Sequence, residues 1–128
     1  MLRLLEKHNK LSWFFVIVIA IIIFYFSSLP SEKIPPFIGF NWQTTAYHFI
    51  IFFFLAFFLL PALVKGKKES LIFIAIIIAI MYALLDEFHQ LFVSGRVCAF
   101  SDFLIDSSGI LLASFIYVVS LRFRIKAS

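Results

Sequence analysis

Four long apolar runs separated by short polar stretches set the pattern of this chain. The first follows a polar head, Met1 to Lys10, in which Arg3, Lys7 and Lys10 stand against Glu6, and it extends over about 11–29. At a rise of about 1.5 Å per residue a spanning helix needs about 20 predominantly apolar residues, which this run approaches. A basic head before an apolar run also suits a secretory signal peptide, but Ser27-Ser28-Leu29-Pro30 offers no small-x-small cleavage site, so the run is read as a retained span. From Ser27 to Gln43, Pro30, Pro35, Pro36 and Gly39 break helical structure and predict a loop. Ile34, Phe37, Ile38, Phe40 and Trp42 keep that loop apolar enough to lie at the headgroup level, where it serves as a connector or as a lid over a site.

The second run, about 44–64, carries Phe49, Phe52, Phe53, Phe54, Phe57 and Phe58 on almost every side, which places it in lipid or in a bundle core. Pro61 falls in its last turn, where it kinks or ends the helix, and Lys65-Gly66-Lys67-Lys68 marks the aqueous boundary. A third helix is predicted over about 70–91 and a fourth over about 102–121, before Arg122, Arg124 and Lys126. The expected architecture is all-α: a single transmembrane domain over 1–128, built as an integral membrane bundle of four helices.

Composition agrees. Apolar side chains make up 63% of the chain, against the roughly 45–50% of soluble domains, and mean hydropathy is +1.07. The net charge of +4 needs no nucleic acid to explain it, because the 11 Lys and Arg residues are a topology signal. The head, the 65–68 loop and the tail hold three each, leaving only Lys33 and Arg96 for the other two loops. Both termini and the middle loop are therefore expected on the cytoplasmic side of the inner (plasma) membrane, with the 27–43 and 86–101 loops outside. The single cysteine, Cys98, excludes an intrachain disulfide framework.

What the membrane does not explain is concentrated between Leu85 and Gly109, which hold four of the seven acids. In the expected topology His48, Asp86, Glu87, Gln90, Asp102 and Asp106 all come to the outer ends of their helices, and Arg96 lies in the loop between. Asp86 shares a helical face with His89 and Gln90, and Glu87 with Gln90. Asp102, Asp106, Gly109 and Ala113 form a stripe whose small members let another helix come close, which presses the carboxylates into an interface. Three uses of the cluster follow. Arg96 can pair with Asp86, Glu87 or Asp102 in a network that only locks helices together. It can instead contact the phosphate of an anionic or sugar-bearing lipid whose hydroxyls the carboxylates accept. Catalysis is the third, with Glu87 or Asp86 as general base, His48 as acid/base partner and Arg96 stabilising negative charge.

No resident metal or cofactor is assigned. A divalent cation on Asp86, Glu87, Asp102 and a His would have suitable ligand types but no recognised spacing. Gly-rich phosphate loops, Ser nucleophile motifs and Cys pairs for zinc are lacking. His8 reads as a solvated head residue, and His89 as pointing into interfacial water.

A His opening one helix, Asp-Glu-x-x-Gln closing the next, then Gly-Arg, Ser-x-Asp and a downstream Gly resembles the VanZ-like membrane proteins. The positions are His48, Asp86, Glu87, Gln90, Gly95, Arg96, Ser101, Asp102 and Gly109, and Ser27 to Ser31 also suits that family. Two positions depart from its pattern: Asp106 stands where the family usually has Asn, and Thr45 where it often has Lys. The family is named for a protein linked to resistance against teicoplanin-type glycopeptides. The resemblance therefore implies a membrane protein related to such resistance, whose outward site binds or acts on envelope lipid, a cell-wall precursor or glycan-linked material. The ligand-binding set is then His48, Asp86, Glu87, Gln90, Arg96, Ser101, Asp102 and Asp106.

Overall fold

The computed structural model describes residues 1–34, 42–66 and 69–126. In chain order it contains α1 (Leu2–Lys7), α2 (Asn9–Ser27), one 3-10 turn (Ser31–Lys33), α3 (Trp42–Val64), α4 (Ser70–Gln90) and α5 (Phe100–Lys126). Four helices, α2 to α5, are long and apolar enough to cross a membrane. Pro35, Pro36, Phe37, Ile38, Gly39 and Phe40 of the first long loop lie outside the described residues, as do Lys67 and Lys68.

The boundaries differ from the expected ones for local reasons. The first span stops at Ser27 instead of reaching Leu29, because the ring of Pro30 disfavours helical geometry at the residue before it. The Ser28 hydroxyl then donates to the Phe24 carbonyl at 2.7 Å. The basic tail does not end α5: Arg and Lys are good helix formers, and cations suit a helix C-terminus, so the helix runs on to Lys126. Pro61 is tolerated inside α3, which continues to Val64. The chain leaves α3 through Lys65 and Gly66, both left-handed at φ 52° and 64°. The polar head forms the short helix α1, which docks through buried Leu5. Ser12 of α2 donates to the Leu5 carbonyl at 2.9 Å.

α3 is the centre of the bundle. It packs on α1, α2, α4 and α5, most extensively on α5, which decides between the two settings open to an all-round apolar helix. Phe52, Leu55, Ala56, Leu59 and Leu60 are buried, whereas Ile50 and Phe54 face outward. The outer helices expose Ile17, Ile21, Phe73, Ile77, Phe115 and others, a surface suited to hydrocarbon. Small residues set the closest approaches. A Cβ at Gly109 would run into the Phe49 carbonyl and sit 3.1 Å from the Phe53 nitrogen. On α4, Ala75, Ala79 and Ala83 form a buried stripe at helical spacing. Tyr82 secures α4 to α2 by donating to the Ala20 carbonyl at 2.8 Å.

At the end where α1 meets the end of α5, a polar clamp joins three segments. Arg124 donates to both carboxylate oxygens of Glu6, at 2.6 and 2.9 Å. Tyr117 donates to Glu6 at 2.7 Å and accepts from the Gly66 backbone N–H at 3.3 Å. Burial alone would raise the Glu6 carboxyl, but hydrogen bonds from Arg124 and Tyr117, with the Arg124 charge, hold it below its ordinary range. The head, the middle loop and the tail, which carry most of the basic residues, thus meet at one end.

Candidate ligand site at the opposite end

The alanine stripe of α4 continues into Asp86, Glu87 and Gln90, which are therefore pressed inward at the helix end and are buried. α3 contributes buried His48, and α5 contributes Asp106, which is fully enclosed. These side chains come from three helices, as the spacing implies. His48 Nδ1 and Asp106 Oδ1 are 3.0 Å apart. Gln90 donates to Asp86 Oδ2 at 3.1 Å within the last turn of α4. Glu87 Oε2 accepts the Ala99 backbone N–H at 2.9 Å and so fastens the α4–α5 loop to α4. Glu87 Oε1, Asp106 Oδ2 and Arg96 Nε are buried with no hydrogen-bond partner.

A cavity of about 390 Å³ opens beside this cluster. His48, Gln90, Arg96 and Asp102 line it together with Thr44 and, from the first loop, Ser31, Glu32 and Ile34. The two loops at this end are joined: the Ser31 N–H donates to the Ser94 carbonyl at 3.3 Å. Gly95 makes the join feasible, since it adopts φ 73° and a Cβ there would collide with the Ser31 hydroxyl.

The structure bears on how several of these residues are arranged. Among the described residues Arg96 forms no ion pair with Asp86, Glu87 or Asp102; the ion pairs are His48–Asp106, Arg122–Glu69 and Arg124–Glu6. Arg96 lines the open cavity. Ser101 is exposed and is not among the residues lining the cavity. His89 does not point into water: it stacks on Phe24 with ring centroids 5.0 Å apart, and its Nε2 lies 3.0 Å from the Ser28 hydroxyl. The His that joins Asp86 and Glu87 is His48. Each of these three offers one ligand atom, and the atoms lie within 4.8 Å of one another; Asp102 is not part of that group.

Some contributors escape a reading of the sequence. Ser31 and Glu32 are brought to the cavity only by the loop-to-loop contact, which no local pattern announces. The Glu6–Arg124 pair spans 118 positions, and its only hint is that Glu6 is the one acid in a basic head.

Fold and site together define a four-span helical membrane protein in which three helices bring a His, three carboxylates and a Gln to one end of the bundle. A family model described as VanZ/LLP1 matches residues 12–122, nearly the whole chain, and the protein belongs to that family. No curated protein and no solved structure matches it.

Proposed function

We propose that this protein binds, at the extracytoplasmic end of the bundle, the polar headgroup of a cell-envelope lipid or of lipid-linked glycan material. The observation that carries this reading is the open cavity of about 390 Å³ in which, among the described residues, Arg96 is the only guanidinium and His48, Gln90, Asp102, Ser31 and Thr44 supply hydrogen-bonding groups. One cation for a phosphate, surrounded by acceptors for hydroxyls, is the chemistry of a sugar-phosphate headgroup. A mainly apolar groove lined by Thr45, Ala46, Phe49, Ile50, Ile105 and Ser108 runs along α3 and α5 and would take an acyl chain. The topology proposed with it puts both termini and the basic clamp end in the cytoplasm of the plasma membrane, because Lys and Arg concentrate there. Ligands of this class are cell-wall precursors or envelope lipids, which relates the site to teicoplanin-type resistance through the family.

A second reading, hydrolysis or group transfer on the same ligand, is favoured by the His48–Asp106 pair. A carboxylate on one ring nitrogen orients a His for proton transfer at the other, and Glu87 or Asp86 would serve as a further base. Native mass spectrometry of the detergent-purified protein with lipid identification tests the binding reading. Wild-type protein is expected to retain an anionic envelope lipid that Arg96→Ala loses. Equal lipid content in both proteins would refute it. Turnover of the identified lipid by wild type, lost in His48→Gln, would establish the second reading.

A further inference from the structure

We infer that His48, Asp86 and Glu87 form a binding site for one divalent transition-metal ion of the zinc or manganese type. The three residues come from α3 and the end of α4, all are buried, and their candidate ligand atoms lie within 4.8 Å of one another. Ligands about 2.0–2.2 Å from such an ion stand roughly 3–3.6 Å apart in tetrahedral or octahedral geometry, so atoms at the 4.8 Å limit close by somewhat more than an ångström when the ion binds, within reach of side-chain rotation. Two further features point to a guest. Glu87 is 2% exposed, and its Oε1 has no hydrogen-bond partner although Oε2 is held by the Ala99 N–H. A carboxylate oxygen left unpartnered at that depth is costly, and a cation is the partner that removes the cost. His48, in turn, has Nδ1 occupied by Asp106 at 3.0 Å, which leaves Nε2 for a ligand bond. A carboxylate on the distal nitrogen is the usual support of a metal-bound imidazole, fixing its tautomer and its direction.

The donor set also narrows the ion. One imidazole with two carboxylates suits Zn2+ or Mn2+ better than Ca2+ or Mg2+, which take all-oxygen cages or keep most of their water. Two carboxylates balance the charge of a divalent ion, and three protein ligands leave coordination positions open, as in catalytic sites. Because His48 also lines the cavity, such an ion would sit at its wall. The inference goes beyond the lipid reading and stands without it, since the metal is measured on delipidated protein.

The experiment is titration of chelator-stripped, delipidated full-length protein in detergent with Zn2+ and, separately, Mn2+, read by calorimetry and by elemental analysis after desalting. Wild type is expected to take up one equivalent of at least one of the two ions in the presence of millimolar Mg2+ and to gain thermal stability. Glu87→Gln keeps an acceptor for the Ala99 N–H and should weaken binding by at least tenfold, as should Asp86→Asn, with both proteins folded by circular dichroism. Glu69→Gln, which removes an exposed carboxylate at the opposite end of the bundle, should bind within threefold of wild type. No stoichiometric uptake by folded wild type, uptake undiminished in both Glu87→Gln and Asp86→Asn, or an equal loss in Glu69→Gln would overturn the site. Lipid retention with no metal uptake would leave the lipid reading standing and remove this one.

Discussion

Converting Glu6 to Gln should loosen the clamp end of the bundle by about 2 kcal/mol. An exposed ion pair contributes about 0–1 kcal/mol, whereas removing one member of a buried pair costs about 3–5 kcal/mol. The side chains of Arg124 and Glu6 are 19% and 9% exposed, so this pair lies between those limits. Glutamine keeps one acceptor for Tyr117 or Arg124 but turns its amide hydrogens toward a guanidinium, so both charge and geometry are lost. For a chain of this size, about 2 kcal/mol corresponds to a midpoint about 6–10 °C lower in thermal unfolding. Circular dichroism of the detergent-purified protein measures it, and a cycle with Arg124→Gln isolates the pair, with an expected coupling of about 1–2 kcal/mol. The sign with pH follows from the same contacts. The Glu6 carboxyl is lowered in the folded state, so its contribution is complete above the unfolded value of about 4.5 and is lost as pH falls through the folded one. Glu6→Gln should abolish that part of the acid dependence. Additive single effects, or a midpoint unchanged within 2 °C, would show that the Glu6–Arg124 pair contributes nothing and that α1 is held by its apolar side chains and the Ser12–Leu5 hydrogen bond.

Further expectations concern the helix contacts and the site. Gly109→Val should cost at least about 1–3 kcal/mol, since its side chain meets the α3 backbone, which cannot step aside as a flexible side chain would; a midpoint equal to wild type would refute the close α3–α5 approach. Asp106→Ala, which strips His48 Nδ1 of its partner, should lower stability by about 1–3 kcal/mol, whereas Asp106→Asn keeps an acceptor oxygen and should retain most of it; thermal unfolding of the two variants compares them. Gly95→Ala should cost about 1–2 kcal/mol for the left-handed backbone alone and more for the collision with Ser31. Its readout is faster proteolysis between α4 and α5.

Much of this arrangement is legible from residue types and spacing. Apolar runs of spanning length report themselves, and the helical spacing of Asp102, Asp106, Gly109 and Ala113 is enough to place Asp106 in an interface. The fold supplies the partner, His48, whose Nδ1 lies 3.0 Å from Asp106 Oδ1, a contact that asks only for an acceptor oxygen at position 106. Arg96 is less legible, because charge complementarity predicts a partner by sign alone. Its place is set by the backbone of the 91–99 loop, which Gly95 turns and Glu87 anchors through Ala99. The first loop's role is hidden for a related reason, since a contact between Ser31 and Ser94 depends on how two interhelical loops meet and leaves no periodicity in either.

The charge inventory of the two ends supports the proposal that one cluster is structural and the other receives a ligand. At the clamp end Glu6 accepts two bonds from Arg124 and one from Tyr117, and Glu69 lies 4.0 Å from Arg122, so each acid has its own cation. At the other end five acids, Glu32, Asp86, Glu87, Asp102 and Asp106, stand with Arg96, Lys33 and the imidazoles of His48 and His89, and the Arg96 guanidinium is unpaired among the described residues. An ionised carboxylate costs about 2.5–3.5 kcal/mol at the centre of a spanning helix on insertion scales and less toward its ends, so a buried excess of them is stable only when protonated, hydrated or matched by something bound. A network whose purpose was to lock helices would bring Arg96 onto Glu87 and leave neither with an orphaned atom, whereas both have one. Among the described residues the Arg96 guanidinium at the open cavity has no ion pair and Glu87 Oε1 has no hydrogen-bond partner, one suited to an anion and the other to a cation. A phosphate-bearing headgroup with a divalent metal ion would satisfy both.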